Sequence, residues 1–172
     1  ENYQELKDEL ETLGYVFSSQ TDTEVVAHLV DHALKTAPSL LAAVQQVVPQ
    51  LKGAYALGII HTDYPDELIT VREGSPLVIG VGIGENFISS DQLALMPITN
   101  RFMYLEEGDI ARLTRDSIEV FVNGQTVERP VKELDATVSN ASKGEYKHYM
   151  LKEIYEQPEA IQQTISQALN GK

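Results

Sequence analysis

At Gly53 the hydrophobic period of the chain changes, and that change excludes most folds. Before it, apolar residues recur three and four apart, the spacing of one helix face. Residues 2–13 carry Tyr3, Leu6, Leu10 and Leu13 and stop at Gly14. A second run, from Thr21 to about Thr36, carries Val25, Val26, Leu29, Val30, Ala33 and Leu34 and is halted by Pro38. A third, SLLAAVQQVV, ends at Pro49. After Gly53 the runs are short, β-branched or aromatic: GAYALGII, ELITVRE, PLVIGVGI, NFISS, FMYLEEG, DIARLTR, SIEVFV and QTVER. These are strand signals joined by tight turns, and Asn123-Gly124 is a strong hairpin signal among them. DQLALM, residues 91–96, reads as one helical turn capped by Asp91. Helices first and antiparallel strands after them make an α+β fold rather than a βαβ alternation.

Around residues 130–148 the period lapses, and PVKELDATVSNASKGEYKH has the composition of a linker. Residues 149–170 return to helix, with Met150, Ile154, Ile161, Ile165 and Leu169 on one stripe and Pro158 expected to interrupt it. The pattern therefore predicts a folded domain over 1–137, a linker over 138–148 and a helical extension over 149–172.

Charge and composition bound the function. Acidic residues outnumber basic ones 26 to 13, a formal net charge of −13 that repels phosphate backbones and argues against a nucleic-acid partner. With no cysteine, the chain itself holds no disulfide, thiolate zinc site or thiol nucleophile. No apolar stretch approaches the ~18 residues of a membrane span. The opening ENYQELKDEL is the reverse of a signal peptide, so a cytoplasmic location is expected. The first residue is Glu1, and helical periodicity begins almost at once, as in a fragment.

Several residues invite a chemical reading. Thr21 and Glu24 stand three apart, as in a capping box, where the hydroxyl accepts from the Glu24 amide and the carboxylate reaches back to the Thr21 amide. Asp22 then occupies the first helical position, where its charge offsets the helix dipole by ~0.3–1 kcal/mol. That alone accounts for an aspartate there. Glu24, His28 and His32 fall at i, i+4 and i+8 on a face opposite the apolar stripe, which suits either a metal or a solvated polar face. A third ligand and the HExxH order are missing, so no metal is assigned. Gly80 to Asn86, GVGIGEN, lacks the following helix and the lysine of a phosphate loop and reads as a hairpin turn; no cofactor is implied. Arg72, in Arg72-Glu73-Gly74-Ser75-Pro76, either presents a cation to an anion or is an exposed residue of a Ser-Pro turn. Ser89, Ser90 and Asp91, with His61 and His148 elsewhere, do not form a nucleophile elbow. Read from residues alone, the chain is an acidic α+β domain with a helical extension.

Taken in order, several segments resemble one family. TDTEVVAHL is similar to a segment of the N-terminal-nucleophile (class II) glutamine amidotransferases. REGSPLVIGVG, ENFISSDQLAL, LEEGDIARL and especially HYMLKEIYEQP narrow the likeness to the glutamine–fructose-6-phosphate aminotransferase (isomerizing), or glucosamine-6-phosphate synthase, family. The likeness runs nearly end to end. It implies an αββα four-layer sandwich of the N-terminal-nucleophile hydrolase type, incomplete at its N-terminus. It implies a partial glutaminase domain over 1–137 and the start of a helical isomerase domain over 149–172. For the parent enzyme it implies transfer of the glutamine amide nitrogen to fructose 6-phosphate, giving glucosamine 6-phosphate. It also matches Asp22 to the aspartate that binds the α-ammonium of glutamine.

The family's nucleophile is an N-terminal cysteine, and its carboxylate clamp and oxyanion-hole Asn-Gly lie upstream of a segment like Glu1-Asn2-Tyr3. None of these is in the chain, nor is the isomerase site, so the chain alone is expected to be inactive and no catalytic residue is assigned. Strands left without their upstream neighbours expose edges, which predicts a homo-oligomer. A purine-pathway class II amidotransferase and a non-enzymatic binding module on the same scaffold are the alternatives; HYMLKEIYEQP speaks against the former.

Overall fold

The computed structural model describes residues 1–134 and 146–170, and the chain divides into two compact units, Glu1–Asp135 and Ala136–Lys172. The first unit opens with helices α1 (Tyr3–Thr12), α2 (Asp22–Leu34) and α3 (Leu40–Val47), followed by a 3-10 turn at Val48–Gln50. Each helix end has a local cause. At the end of α1, Gly14 takes a φ of +90°. Its amide donates to the Glu11 carbonyl at 3.0 Å, and the Tyr15 amide donates to the Leu10 carbonyl at 3.0 Å. That pair of bonds is a Schellman turn, which needs a residue free to adopt positive φ. α2 and α3 start on Thr21 and Ser39, whose hydroxyls accept the amides of Glu24 at 3.4 Å and Ala42 at 3.1 Å.

Strands β1 (Tyr55–His61), β2 (Tyr64–Glu73), β3 (Val78–Val81), β4 (Asn86–Ser89), β5 (Arg101–Tyr104), β6 (Ile110–Leu113), β7 (Ile118–Val122), β8 (Gln125–Val127) and β9 (Val131–Glu133) follow. They form a five-stranded sheet in the order β1-β2-β6-β7-β8 and a four-stranded sheet in the order β4-β3-β5-β9. The strand pairings are antiparallel. The β7–β8 hairpin turns on Asn123 and Gly124, with φ of +50° and +76°, as its sequence predicts. The glycines of residues 82–84 close the β3–β4 hairpin, in which Val81 faces Asn86.

Alternation along the strands sets the layers. Ile69, Val71 and Ile110 point to the helices and share a core with Leu6, Leu10, Val25, Leu29, Leu40 and Val44. Ala111, Leu113 and Val120 point the other way and pack against Leu77, Ile79, Met103 and Leu105 of the second sheet or its flanks. The sheets approach so closely that a Cβ on Gly58 of β1 would stand 2.7 Å from Ile88 Cδ1 of β4. The outer face of the second sheet buries Val78 and Phe102 under Leu95, which follows a 3-10 turn at Gln92–Ala94 capped by the Asp91 carboxylate. The unit is thus helices, sheet and sheet, with antiparallel strands throughout both sheets.

Three boundaries differ from the sequence reading. β2 begins at Tyr64 rather than near Glu67, because His61 and Tyr64 pair across a tight β1–β2 turn that precedes the apolar run. Residues 131–133 are a strand rather than linker, paired with β5 through Phe102 and Lys132. Helix α4 (Tyr149–Asn170) runs through Pro158 instead of breaking there. Residues 135–145 of the expected linker lie outside the described residues. In the second unit the rings of Tyr146 and Tyr155 stack at 5.6 Å, and Met150, Ile154, Ile161 and Ile165 of α4 are exposed. Among the described residues no helix is long and apolar enough to cross a membrane.

Candidate functional site

Asp22, the residue singled out in the sequence, is the first residue of α2 and is exposed. It lies at the rim of a cleft of about 230 Å³ whose walls are the starts of α1 and α2 and the first half of β1. Tyr3 and Leu6, Val25 and Val26, and Tyr55 to Leu57 line it, with Lys52 at the mouth. Asn2 fastens one wall: its amide nitrogen donates to the Gln50 carbonyl at 2.9 Å, and its carbonyl oxygen accepts the Lys52 amide at 3.0 Å. Burial, with a smaller contribution from the Glu73 charge, pushes the Tyr55 phenol above its ordinary pKa, so it stays neutral. An aspartate on a rim of this kind suits a small cation, since the opposite charge is desolvated on one side only.

The segment leading into Asp22 is bound tightly to the helix that follows. The expected reciprocal bond from Glu24 to the Thr21 amide is replaced by a longer reach. The Glu24 carboxylate accepts the amides of Ser18 and Ser19, each at 2.7 Å, the Ser18 hydroxyl at 2.9 Å and the Ser19 hydroxyl. The Thr21 amide is taken instead by the Ser19 hydroxyl at 3.3 Å. These donors, the Ser18 amide foremost, hold the Glu24 carboxyl at about 2, well below its ordinary 4.5. A carboxyl depressed in the folded state contributes stability above its unfolded value and loses it as pH falls through the folded one. The thermal midpoint is therefore expected to drop between pH 4.5 and about 2, less steeply in Glu24→Gln; equal slopes in an acid titration of both proteins would contradict this.

The other sequence candidates separate from this cleft. His32 stays exposed on the polar face, whereas His28 is half-buried. The rings of Tyr15 and Phe17 lie 5.0 Å and 4.7 Å from His28, and Tyr15 lies 6.0 Å from His32. His28 Nε2 is buried without a hydrogen bond, 3.7 Å from a Glu24 oxygen. Among the described residues no group of acids and histidines is arranged to hold a metal ion. Arg72 is half-buried rather than an exposed turn residue, and the anion it faces is the chain's own Glu107 carboxylate, 4.0 Å away. Its guanidinium donates to the carbonyls of Ser75, at 3.2 Å, and Leu105, tying the two loops that flank β2 and β6. Ser89 Oγ accepts the Asp91 amide at 3.3 Å, and His61 Nδ1 accepts the Asp63 amide at 3.1 Å, so both serve turns. What sequence reasoning missed is the service of Ser18, Ser19 and Tyr55. A run of two serines before a T-x-x-E cap is the one local signal that could have pointed to the first two.

A family profile described as glutamine amidotransferase domain matches residues 1–97. The glutamine–fructose-6-phosphate aminotransferase (isomerizing) of Acinetobacter baylyi is 85% identical over 99% of this chain, which covers 28% of that protein. The protein of the same name from Idiomarina loihiensis is 54% identical over 99% of the chain and 28% of its own length. That from Pseudomonas syringae pv. tomato is 54% identical over 96% and 27%. The chain thus spans somewhat more than a quarter of the length of the relatives it matches.

Proposed function

The chain belongs to the glutamine amidotransferase domain family, and from that premise we propose that it forms part of an enzyme transferring the amide nitrogen of glutamine to fructose 6-phosphate to make glucosamine 6-phosphate. The observation that carries this reading is identity of 85% over 99% of the chain to an aminotransferase of that name. The share of the work assigned to this chain is the grip on glutamine's α-ammonium by Asp22, at the head of α2 beside the cleft. A carboxylate at a helix N-terminus offsets the positive end of the dipole, and a carboxylate is the partner an ammonium requires. The helix layer and paired antiparallel sheets belong, in this reading, to an αββα sandwich of the N-terminal-nucleophile type. Residues 1–137 form the glutaminase portion, 138–148 the linker, and 149–172 the start of the isomerase portion, whose exposed α4 stripe is the face it docks. The end strands of both sheets leave edges for a second copy, so the protein self-associates; a clean monomer by sedimentation at high concentration would contradict that.

The reading is tested in a chimera in which this chain replaces the segment it matches in the Acinetobacter baylyi enzyme. A charge-assisted hydrogen bond contributes ~1.5–3 kcal/mol, so Asp22→Asn is expected to raise the KM for glutamine about 10–150-fold at nearly unchanged kcat. An unchanged KM would overturn the assignment. The 172-residue chain alone has no thiol to attack an amide carbon and is expected to release no ammonia from glutamine above background.

A further inference from the structure

We propose that Glu24 is a positioning residue for glutamine: through Ser18, Ser19 and Thr21 it fixes where the Asp22 carboxylate stands at the cleft. The inference rests on the reading of Asp22 as the ammonium partner. A helix cap by itself needs one acceptor for an early amide and one reciprocal bond. Glu24 does more than that. Both of its oxygens are saturated by donors from Ser18 and Ser19. Ser19 is the node: its hydroxyl meets the Glu24 carboxylate, lies 2.9 Å from the Thr21 hydroxyl and accepts the Thr21 amide. Thr21 in turn receives the Glu24 amide, closing a ring of contacts immediately before Asp22.

The same segment is fastened one turn further along α2. Tyr15 and Phe17 flank His28, and the Tyr15 hydroxyl donates to Asp31 at 2.7 Å. The chain entering Asp22 is therefore laid along α2 over three turns, with Glu24 as the contact nearest the cleft. Displacing a binding group by ~1 Å can cost about 10²-fold in a positioned reaction, so a contact that only holds the backbone has a kinetic consequence. A carboxamide at position 24 keeps one acceptor and turns its amide group toward the serine donors, which it cannot accept.

In the chimera, Glu24→Gln is expected to raise the KM for glutamine about tenfold, between wild type and Asp22→Asn, with kcat nearly unchanged. Ser18→Ala/Ser19→Ala, which removes two hydroxyls and keeps both amides, is expected to fold normally and raise KM by a smaller factor. In the 172-residue chain, the amide protons of Ser18 and Ser19 are expected to titrate with a midpoint of about 2, the folded value of Glu24, and to lose that titration in Glu24→Gln. If Asp22→Asn raises KM while Glu24→Gln and the serine pair leave it at the wild-type value, the positioning role is wrong and the ammonium contact stands. If Asp22→Asn itself has no effect, both fall. A kcat loss without a KM change in the Glu24 and serine variants would also overturn the proposal.

Discussion

An Asp109→Ala variant is expected to lose about 3–5 kcal/mol of unfolding free energy, the cost of breaking a buried ion pair. Asp109 has no solvent-exposed surface and closes the turn that leads into β6, its amide donating to the Glu106 carbonyl at 3.1 Å. Its two oxygens receive Nε and Nη2 of Arg129, each at 2.9 Å, and one also receives the Glu106 amide at 2.7 Å. The planar guanidinium matches the carboxylate as a fork. The pair joins the loop before β6 to the segment after β8. Arg72 is anchored in the same loop, through the Leu105 carbonyl. Truncating Asp109 leaves the Glu106 amide without its acceptor and the guanidinium with only the exposed Glu106 carboxylate, 3.2 Å away, while Asp109→Asn retains an acceptor and loses less. The converse change, Arg129→Met, leaves a carboxylate in an enclosed site and is expected to be at least as damaging as Asp109→Ala. Urea unfolding of these variants checks the ranking. Asp109→Ala within about 1 kcal/mol of wild type would show that the pair is a surface decoration.

A Phe102→Ala variant is expected to lose about 3–5 kcal/mol, the usual cost of emptying a buried aromatic site. Among the described residues Phe102 is the largest side chain that is fully buried, on β5, with Val78 of β3 beside it and Leu95 above. Its neighbours are a strand ladder and a one-turn cover that the Asp91 cap fixes, so the site cannot collapse readily. Because the loss comes from packing on the outer face of the second sheet, it should be additive with Asp109→Ala. Phe102→Leu, which keeps most of the volume, is expected to lose much less. A Phe102→Ala protein with an unchanged denaturant midpoint would mean that this face is not packed as described.

These two sites show what the sequence carries and what it does not. Local signals were legible. Thr21 and Asp91 as caps, Gly14 as a stop, Asn123-Gly124 and the glycines of residues 82–84 all mark elements through contacts within a few residues. Long-range partners were not. Arg72 reads as an exposed turn residue until Leu105 and Ser75 are brought beside it. The Asp109–Arg129 pair is twenty residues apart, and no period predicts it. β9 is three residues long behind a proline, too short to display alternation, and exists because β5 offers an edge. His28 reads as part of an open polar face because its ring partners, Tyr15 and Phe17, arrive from another segment, while His32 is exposed as that reading has it. For the candidate site, the cap placed Asp22 at a helix start, but the cleft depends on β1 folding against α2. The Glu24 network was half legible: its helix role follows from spacing, and its grip on Ser18 and Ser19 does not.

The central claim is that Asp22 contacts the α-ammonium of glutamine, and one comparison tests it most directly. Glutaramate is glutamine without its α-amino group. In the chimera, kcat/KM for glutamine and glutaramate is measured with Asp22 intact and in the Asp22→Asn variant, as a cycle that isolates the contact. With Asp22 present, loss of the ammonium is expected to lower kcat/KM by about 10²-fold, the scale of one charge-assisted bond. In Asp22→Asn the same loss should shrink to a few-fold, because the partner is already gone. Equal ratios in the two proteins would contradict the claim and place the ammonium elsewhere.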